Sequence, residues 1–297
     1  MTRSAATRRG LFTTLLLLVV VIPIVVVAVS ERHFFEVEQT SEESLDATLE
    51  IALGNVTIGK ADRGYLFQAE VVLENEKLIP DFDYSVQSRK GRLDVDLTTV
   101  KDNSEAVGLP DLGKVKETEW NLYFGDDVPI DLRMELAGTA SNLDFTGIPL
   151  SRLRLEIEAS KGSIYFDRPN PVEMEYLSIE SGASDVVLRG LTNARADRIR
   201  FEGGMGKFSL DFSGGRPVRP GAIADIEIGM ASLDITLPAK GPVVLYVPDS
   251  WFCSVNVPTG YTKHDKGVWR SPDYRTGEDA FTVKVEAGIG KVSFATR

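Results

Sequence analysis

The chain has 297 residues, 43% hydrophobic and 26% charged, which is enough for one large domain or two ordinary ones with a sizeable core. Residues 1–30 hold Arg3, Arg8 and Arg9 and no acid, whereas the remaining 267 carry 30 basic and 44 acidic side chains, a net −14. So acidic a body repels nucleic-acid phosphates, which excludes nucleic acid as a partner, and a lone cysteine, Cys253, excludes intrachain disulfides and multi-cysteine metal sites.

Residues 1–10 form a basic tail. Leu11–Val29 then runs nineteen residues without a charge, long enough to cross a hydrocarbon core of roughly 30 Å as a helix. Pro23 is tolerated in such a helix. Arginines precede the span, and Glu31, Glu36 and Glu38 follow it. The positive-inside rule therefore predicts a cytoplasmic N-terminus and a periplasmic or extracellular remainder. An uncleaved signal-anchor is favoured. A cleaved signal ending at Ala28-Val29-Ser30 and a twin-arginine export signal around Arg8-Arg9 are the two rivals, and both give the same topology. Residues 30–45 read as a juxtamembrane stalk, or as a capping helix that starts at Ser41 and runs through SEESLDATLE.

From residue 46 onward a repeat organises the chain. Taking Glu158 as position zero, an apolar residue precedes it, a small residue stands at plus four, and apolar residues stand at plus six and plus eight. The same frame fits zero positions Glu50, Gln87, Ala137, Glu158, Glu180, Glu202, Glu227 and Glu286. The plus-four residues are Gly54, Gly91, Ser141, Gly162, Ser184, Gly206, Ala231 and Gly290. Apolar residues two apart share one face of a strand. Each unit thus reads as a strand, a corner and a second strand, and the regular spacing predicts stacked coils that bury their apolar faces against one another. Hairpins folded into a sandwich are the structural rival.

Between repeats, polar residues 98–118 predict an exposed loop, and residues 213–222, SGGRPVRPGA, a turn-rich link. Pro242–Thr282 predicts a strand at Val243, Leu245 and Val247. An excursion through Trp251, Phe252, Tyr261, Trp269 and Tyr274 follows, suited to sealing the end of a stack or to lining a binding surface. Cys253 reads as a small apolar residue beside two of those aromatics, with a disulfide between two copies as the alternative.

With the repeats laid out, the chain resembles the bacterial toast-rack family of membrane-anchored β domains, which is similar to the C-terminal domains of LiaF-type cell-wall-stress response proteins. The residues that carry the resemblance are Trp120-Asn-Leu-Tyr-Phe, Val128-Pro-Ile-Asp-Leu-Arg-Met, and Ala137-Gly-Thr-Ala-Ser-Asn-Leu-Asp-Phe. Trp269-Arg-Ser-Pro-Asp-Tyr274 and Phe281 to Val292 complete them. The likeness spans roughly residues 85–295. It implies an all-β, parallel, solenoid-like fold without enzymatic activity, in a module for adhesion, scaffolding or envelope-stress regulation. One membrane span, where LiaF-type proteins have several, departs from the pattern and counts against damping of a sensor kinase within the membrane.

Motifs for chemistry are sparse. His33 lies beside the membrane segment and His264 beside Asp265, and no G-x-S-x-G elbow, H-E-x-x-H or phosphate-cradling loop is present. Gly203-Gly204-Met205-Gly206 falls inside a β repeat and reads as a corner. The carboxylate pairs Asp81/Asp83, Asp94/Asp96 and Asp126/Asp127 are the candidates for a cation site or for acid–base cleavage of a polysaccharide. Their alternation with Leu93, Val95 and Leu97 reads instead as the wet face of a half-buried strand. No catalytic, cofactor-binding or metal-ligating residue is assigned. The expected function is a non-enzymatic, membrane-anchored module whose partner is an envelope protein or cell-wall glycan. A polysaccharide-acting enzyme on a β-helix and an envelope-stress regulator are the alternatives.

Overall fold

The computed structural model describes residues 31–73, 78–99, 118–214, 220–247 and 251–297. The Leu11–Val29 span, most of the 98–118 loop and the centre of the 213–222 link lie outside them. Among the described residues the chain is all-β, and its single helical element is a 3-10 turn at Leu191–Ala194. The strands in chain order are β1 (Glu31–Glu38), β2 (Ser44–Lys60), β3 (Tyr65–Leu73), β4 (Leu78–Gln87), β5 (Lys90–Thr99) and β6 (Glu119–Phe124). They continue as β7 (Ile130–Asp144), β8 (Leu150–Glu158), β9 (Lys161–Tyr165), β10 (Met174–Arg189), β11 (Ala196–Asp211) and β12 (Ile223–Leu237). The last are β13 (Val243–Tyr246), β14 (Cys253–Asn256), β15 (Thr262–Asp265), β16 (Val268–Arg270) and β17 (Phe281–Thr296).

The long strands stack in parallel. Each of β2, β7, β10, β11, β12 and β17 forms one rung, bent at its middle into two legs, and β8 with β9 forms another. The spatial order is β2, β7, β8/β9, β10, β11, β12, β17. Each end carries one more rung, assembled from two short strands. β5 and β6 lie against the two legs of β2, and β13 and β14 lie against the two legs of β17. The chain therefore steps outward before turning back at both ends. Antiparallel strands finish each end: β4 on β5, β3 on β6, β1 on β3 and β16 on β13.

Alternation explains the layering. Along β7, Ile130, Leu132, Met134 and Leu136 are buried while Arg133 and Ala137 are exposed, so each leg turns its apolar set inward. Phe145, Phe166, Phe201, Phe208 and Phe212 fill the interior between legs and return loops, where each buried side chain of this size contributes about 1.5–3 kcal/mol. The return loops are stitched by buried asparagines. Asn170 donates through Nδ2 to the Leu150 carbonyl at 2.7 Å, and Asn193 does the same to the Phe166 carbonyl at 2.7 Å. Satisfying these carbonyls lets irregular backbone be buried. At the inner corner, the Thr139 N–H donates to Ser160 Oγ at 3.0 Å, and Ser184 Oγ donates to the Ile157 carbonyl at 3.3 Å.

Three expectations are corrected. Residues 31–38 and 44–60 are strands, so neither a stalk nor a helix from Ser41 is present. Leu45, Ala47, Leu49 and Ile51 are all buried on one face of β2, and that period-two pattern overrides the helix start signal. The copy at Gln87 is no layer of the stack: Ser88 (φ 52) and Arg89 (φ 64) form the two-residue turn of the antiparallel β4–β5 hairpin. Finally, the repeat frame is off by two residues at two steps. The structure pairs Glu50 with Glu135, not Ala137, and pairs Glu156, not Glu158, with Glu180.

Candidate functional site: the outer corner of the stack

The corrected register places one residue type in a single outward column. Glu50, Glu135, Glu156, Glu180, Glu202, Glu227 and Glu286 are successive in-register neighbours. At a strand spacing near 4.8 Å the column runs roughly 29 Å. Like charges held directly opposite one another across strands are unfavourable. Part of that cost is relieved by the adjoining column. Arg133 donates to Glu135 at 2.8 Å and to Glu156 at 3.0 Å, and Arg200 pairs with Glu202. Hydrogen bonds from Arg133 and Arg200 to these carboxylates hold both guanidiniums above their ordinary range. Among the described residues Glu180, Glu227 and Glu286 form no ion pair.

Two residues beyond the column the chain carries no side chain. Gly182, Gly204, Gly229 and Gly288 follow one another at the bend, and a Cβ on Gly204 would stand 2.9 Å from the Gly182 carbonyl oxygen. The next residues, Met205, Met230 and Ile289, face outward with 55%, 57% and 53% of their surface exposed. The pairing of Cys253 with Gly290 brings Phe252 into the same row. A trough of about 680 Å3, lined by glutamates of the column and floored by the glycines, runs from β8 to β17, and Met205, Met230 and Ile289 stand one residue beyond its glycine floor. A second trough of about 760 Å3, lined by Gly138, Ser160, Asp185 and Met205, runs from β2 to β11 and meets the row at Met205.

The residues singled out by sequence fall elsewhere. Asp81 faces Asp96 and Asp83 faces Asp94 across the β4–β5 hairpin. All four lie on its outer side, with Asp94 taken by Arg92 at 2.9 Å. Asp126 pairs with Lys60. Among the described residues no group of three or more His, Cys, Asp or Glu side chains is arranged to hold a metal. His264 is exposed on β15, and His33 sits 3.9 Å from Glu31 on β1. Cys253 is buried, and burial pushes its thiol above the ordinary range. The aromatic excursion divides. Tyr261 is buried in the core, its hydroxyl pushed up to about 12 by burial and by Asp273, and Trp269 packs against that core. Trp251 and Phe252 are 101% and 73% exposed. The corner row was missed although the sequence frame already aligned Met205, Met230 and Ile289 as the structure does, because the frame followed the inward apolar positions and not the outward ones. The recurrence of glutamate at the zero position was the available signal.

These features define a bent, parallel β-stack whose interior is closed at both ends and whose outer corner is open. Residues 27–171 match the family model described as the N-terminal domain of toast_rack, DUF2154. The Trp120, Val128 and Ala137 motifs fall within the matched residues, and the Trp269 and Phe281 segments fall beyond them. No curated protein matches. Among solved structures, the chain is similar to a protein from Clostridium sporogenes provisionally described as a cell adhesion protein. The identity is 17%, with 90% of this chain and 100% of that one covered and a TM-score of 0.47. A provisionally described adhesin from Bacteroides fragilis shares 10% identity over 89% of this chain and 96% of that one, with a TM-score of 0.40. A provisionally described lipid binding protein from Parabacteroides distasonis shares 12% identity over 90% and 94%, with a TM-score of 0.31.

Proposed function

We propose that the chain is a non-enzymatic binding, adhesion or scaffold module of the cell envelope, held by Leu11–Val29 in the cytoplasmic membrane with its β-stack outside. The single observation that carries this reading is the outer corner. A row of exposed apolar side chains beside an open trough is the surface of a protein that contacts another macromolecule. The arrangement of the acidic groups argues the same way. The Asp81, Asp83, Asp94 and Asp96 carboxylates lie on the outer face of an end hairpin, where polysaccharide cleavage would need two of them flanking a bound sugar chain.

The test uses the full chain in its own membrane. Intact cells carrying a tag at the exposed Thr262–Arg270 hairpin are treated with protease, and crosslinked membranes are searched for captured proteins. The expected result is loss of the hairpin tag with protection of an N-terminal tag, specific capture of an envelope component, and unchanged complementation by Asp94→Asn/Asp96→Asn. An N-terminal tag cleaved on intact cells, or loss of complementation in that double variant, overturns the reading.

A further inference from the structure

We infer that the glycine-floored trough is the docking groove for a basic amphipathic helix of a partner polypeptide. The inference rests on the binding-module reading and names the surface and the chemistry it takes. Five of the nine large hydrophobic side chains exposed among the described residues are gathered here: Met205, Met230 and Ile289 in register, Phe252 beside Ile289, and Trp251 next in the chain. Scattered exposed apolar residues need no explanation, but a continuous row does.

Charge selects the occupant. The trough is lined by the glutamate column, whose members Glu180, Glu227 and Glu286 have no ion-pair partner among the described residues, and the apolar row follows one residue beyond the glycine floor. An anionic bilayer pressed onto the apolar row would meet this column and be repelled. A second copy would bring another body of net −14 over residues 31–297. A polypeptide with lysine or arginine beside an apolar stripe satisfies the acidic lining and the adjoining apolar row at once.

Geometry selects the helix. The rungs repeat near 4.8 Å, close to the 5.4 Å pitch of an α-helix laid across them, whereas alternate side chains of an extended strand repeat near 6.8 Å. The trough spans the five rungs from β8 to β17, a length of about 19 Å that roughly thirteen helical residues cover. Its floor of Gly182, Gly204, Gly229 and Gly288 has no side chains to hold the helix away.

The test is a titration of the full chain in neutral detergent micelles with a fluorescent peptide of about fourteen residues. The peptide carries leucine at i, i+3, i+4 and i+7 and lysine on the adjoining stripe. A scrambled peptide of the same composition and phosphatidylglycerol vesicles are the competitors. Saturable binding is expected for the striped peptide alone. Glu180→Gln/Glu227→Gln/Glu286→Gln weakens it about tenfold, the sum of three exposed charge contacts. Met230→Ser/Ile289→Ser weakens it at least as much, and Asp81→Asn/Asp83→Asn on the distant hairpin leaves it unchanged. Glu180→Lys/Glu227→Lys shifts preference to a peptide with glutamate in place of lysine, which guards against a folding defect. Equal binding of the scrambled peptide, capture of the vesicles, absence of saturable binding, or retention by the triple glutamine variant overturns the inference. The two readings fail separately. Capture of an envelope partner by the triple glutamine variant in membranes leaves the binding module standing and removes this groove, whereas a cytoplasmic β-stack removes the module whatever the peptide does.

Discussion

Gly206→Ala destabilises the stack by more than about 4 kcal/mol, the range reserved for substitutions that break a defined structural requirement. Gly206 sits at the bend of β11 with φ 141, and a Cβ there would lie 1.8 Å from the carbonyl oxygen of Ser184 on the neighbouring rung. Gly290 repeats the arrangement on β17, with φ 144 and 1.9 Å to the Ala231 oxygen. Both the backbone angle and the space are closed to an L side chain, and the atom in the way is backbone that cannot swing aside. Two comparisons separate the causes. Gly221 also has positive φ but meets nothing within 4 Å, so Gly221→Ala costs only about 1 kcal/mol. Ser184→Ala removes the hydroxyl bond to the Ile157 carbonyl and also costs about 1 kcal/mol. Urea unfolding followed by circular dichroism ranks the three. A Gly206→Ala midpoint equal to that of Gly221→Ala refutes the corner geometry.

Phe208→Ala costs about 3–5 kcal/mol, and its loss is coupled to Gly203. Phe208 is 1% exposed and packs edge-on against Phe201 with ring centroids 5.1 Å apart. Across the same bend, a Cβ on Gly203 would stand 2.4 Å from Phe208 Cε2. Alanine at 203 therefore overpacks the corner and costs about 1–3 kcal/mol while the ring is present. Once Phe208→Ala has emptied the space, the added methyl partly fills it, and Gly203→Ala becomes neutral or stabilising. A double-mutant cycle is expected to show coupling of about 1–3 kcal/mol. Strict additivity contradicts the packing described.

The all-β class and the parallel stacking of bent rungs were legible in sequence. Apolar pairs two apart on either side of a small residue recur from Leu49 to Phe294, and only a strand buries such pairs together. Register was less legible, for a physical reason. A strand repeats every two residues, so sliding one rung by two keeps every apolar side chain inside, and the sequence frame accommodated Ala137 where the structure places Glu135. What sets the true register is partly the stitching of return loops by Asn170 and Asn193, whose partners lie 20 and 27 residues away. The hairpin at Ser88–Arg89 imitated a corner because both join alternating strands through a turn, and local pattern does not tell a parallel partner from an antiparallel one. The candidate site suffered most. Glu180, Met205, Met230 and Ile289 belong to four different rungs, so the trough exists only after stacking, whereas the members of each aspartate pair stand within two residues of one another in the chain.

The central claim is the in-register parallel stack, since the glutamate column, the trough and the apolar row all follow from it. Oxidative crosslinking of paired cysteines in a Cys253→Ser background tests it directly. Adjacent rungs hold Cα atoms about 4.8 Å apart, within the range a disulfide spans. Glu180→Cys/Glu202→Cys, Glu202→Cys/Glu227→Cys and Glu227→Cys/Glu286→Cys are predicted to crosslink rapidly in the full chain, while Glu180→Cys/Glu227→Cys, two rungs apart, does not. Failure of the adjacent pairs, or equal crosslinking of the pair that skips a rung, contradicts the stack.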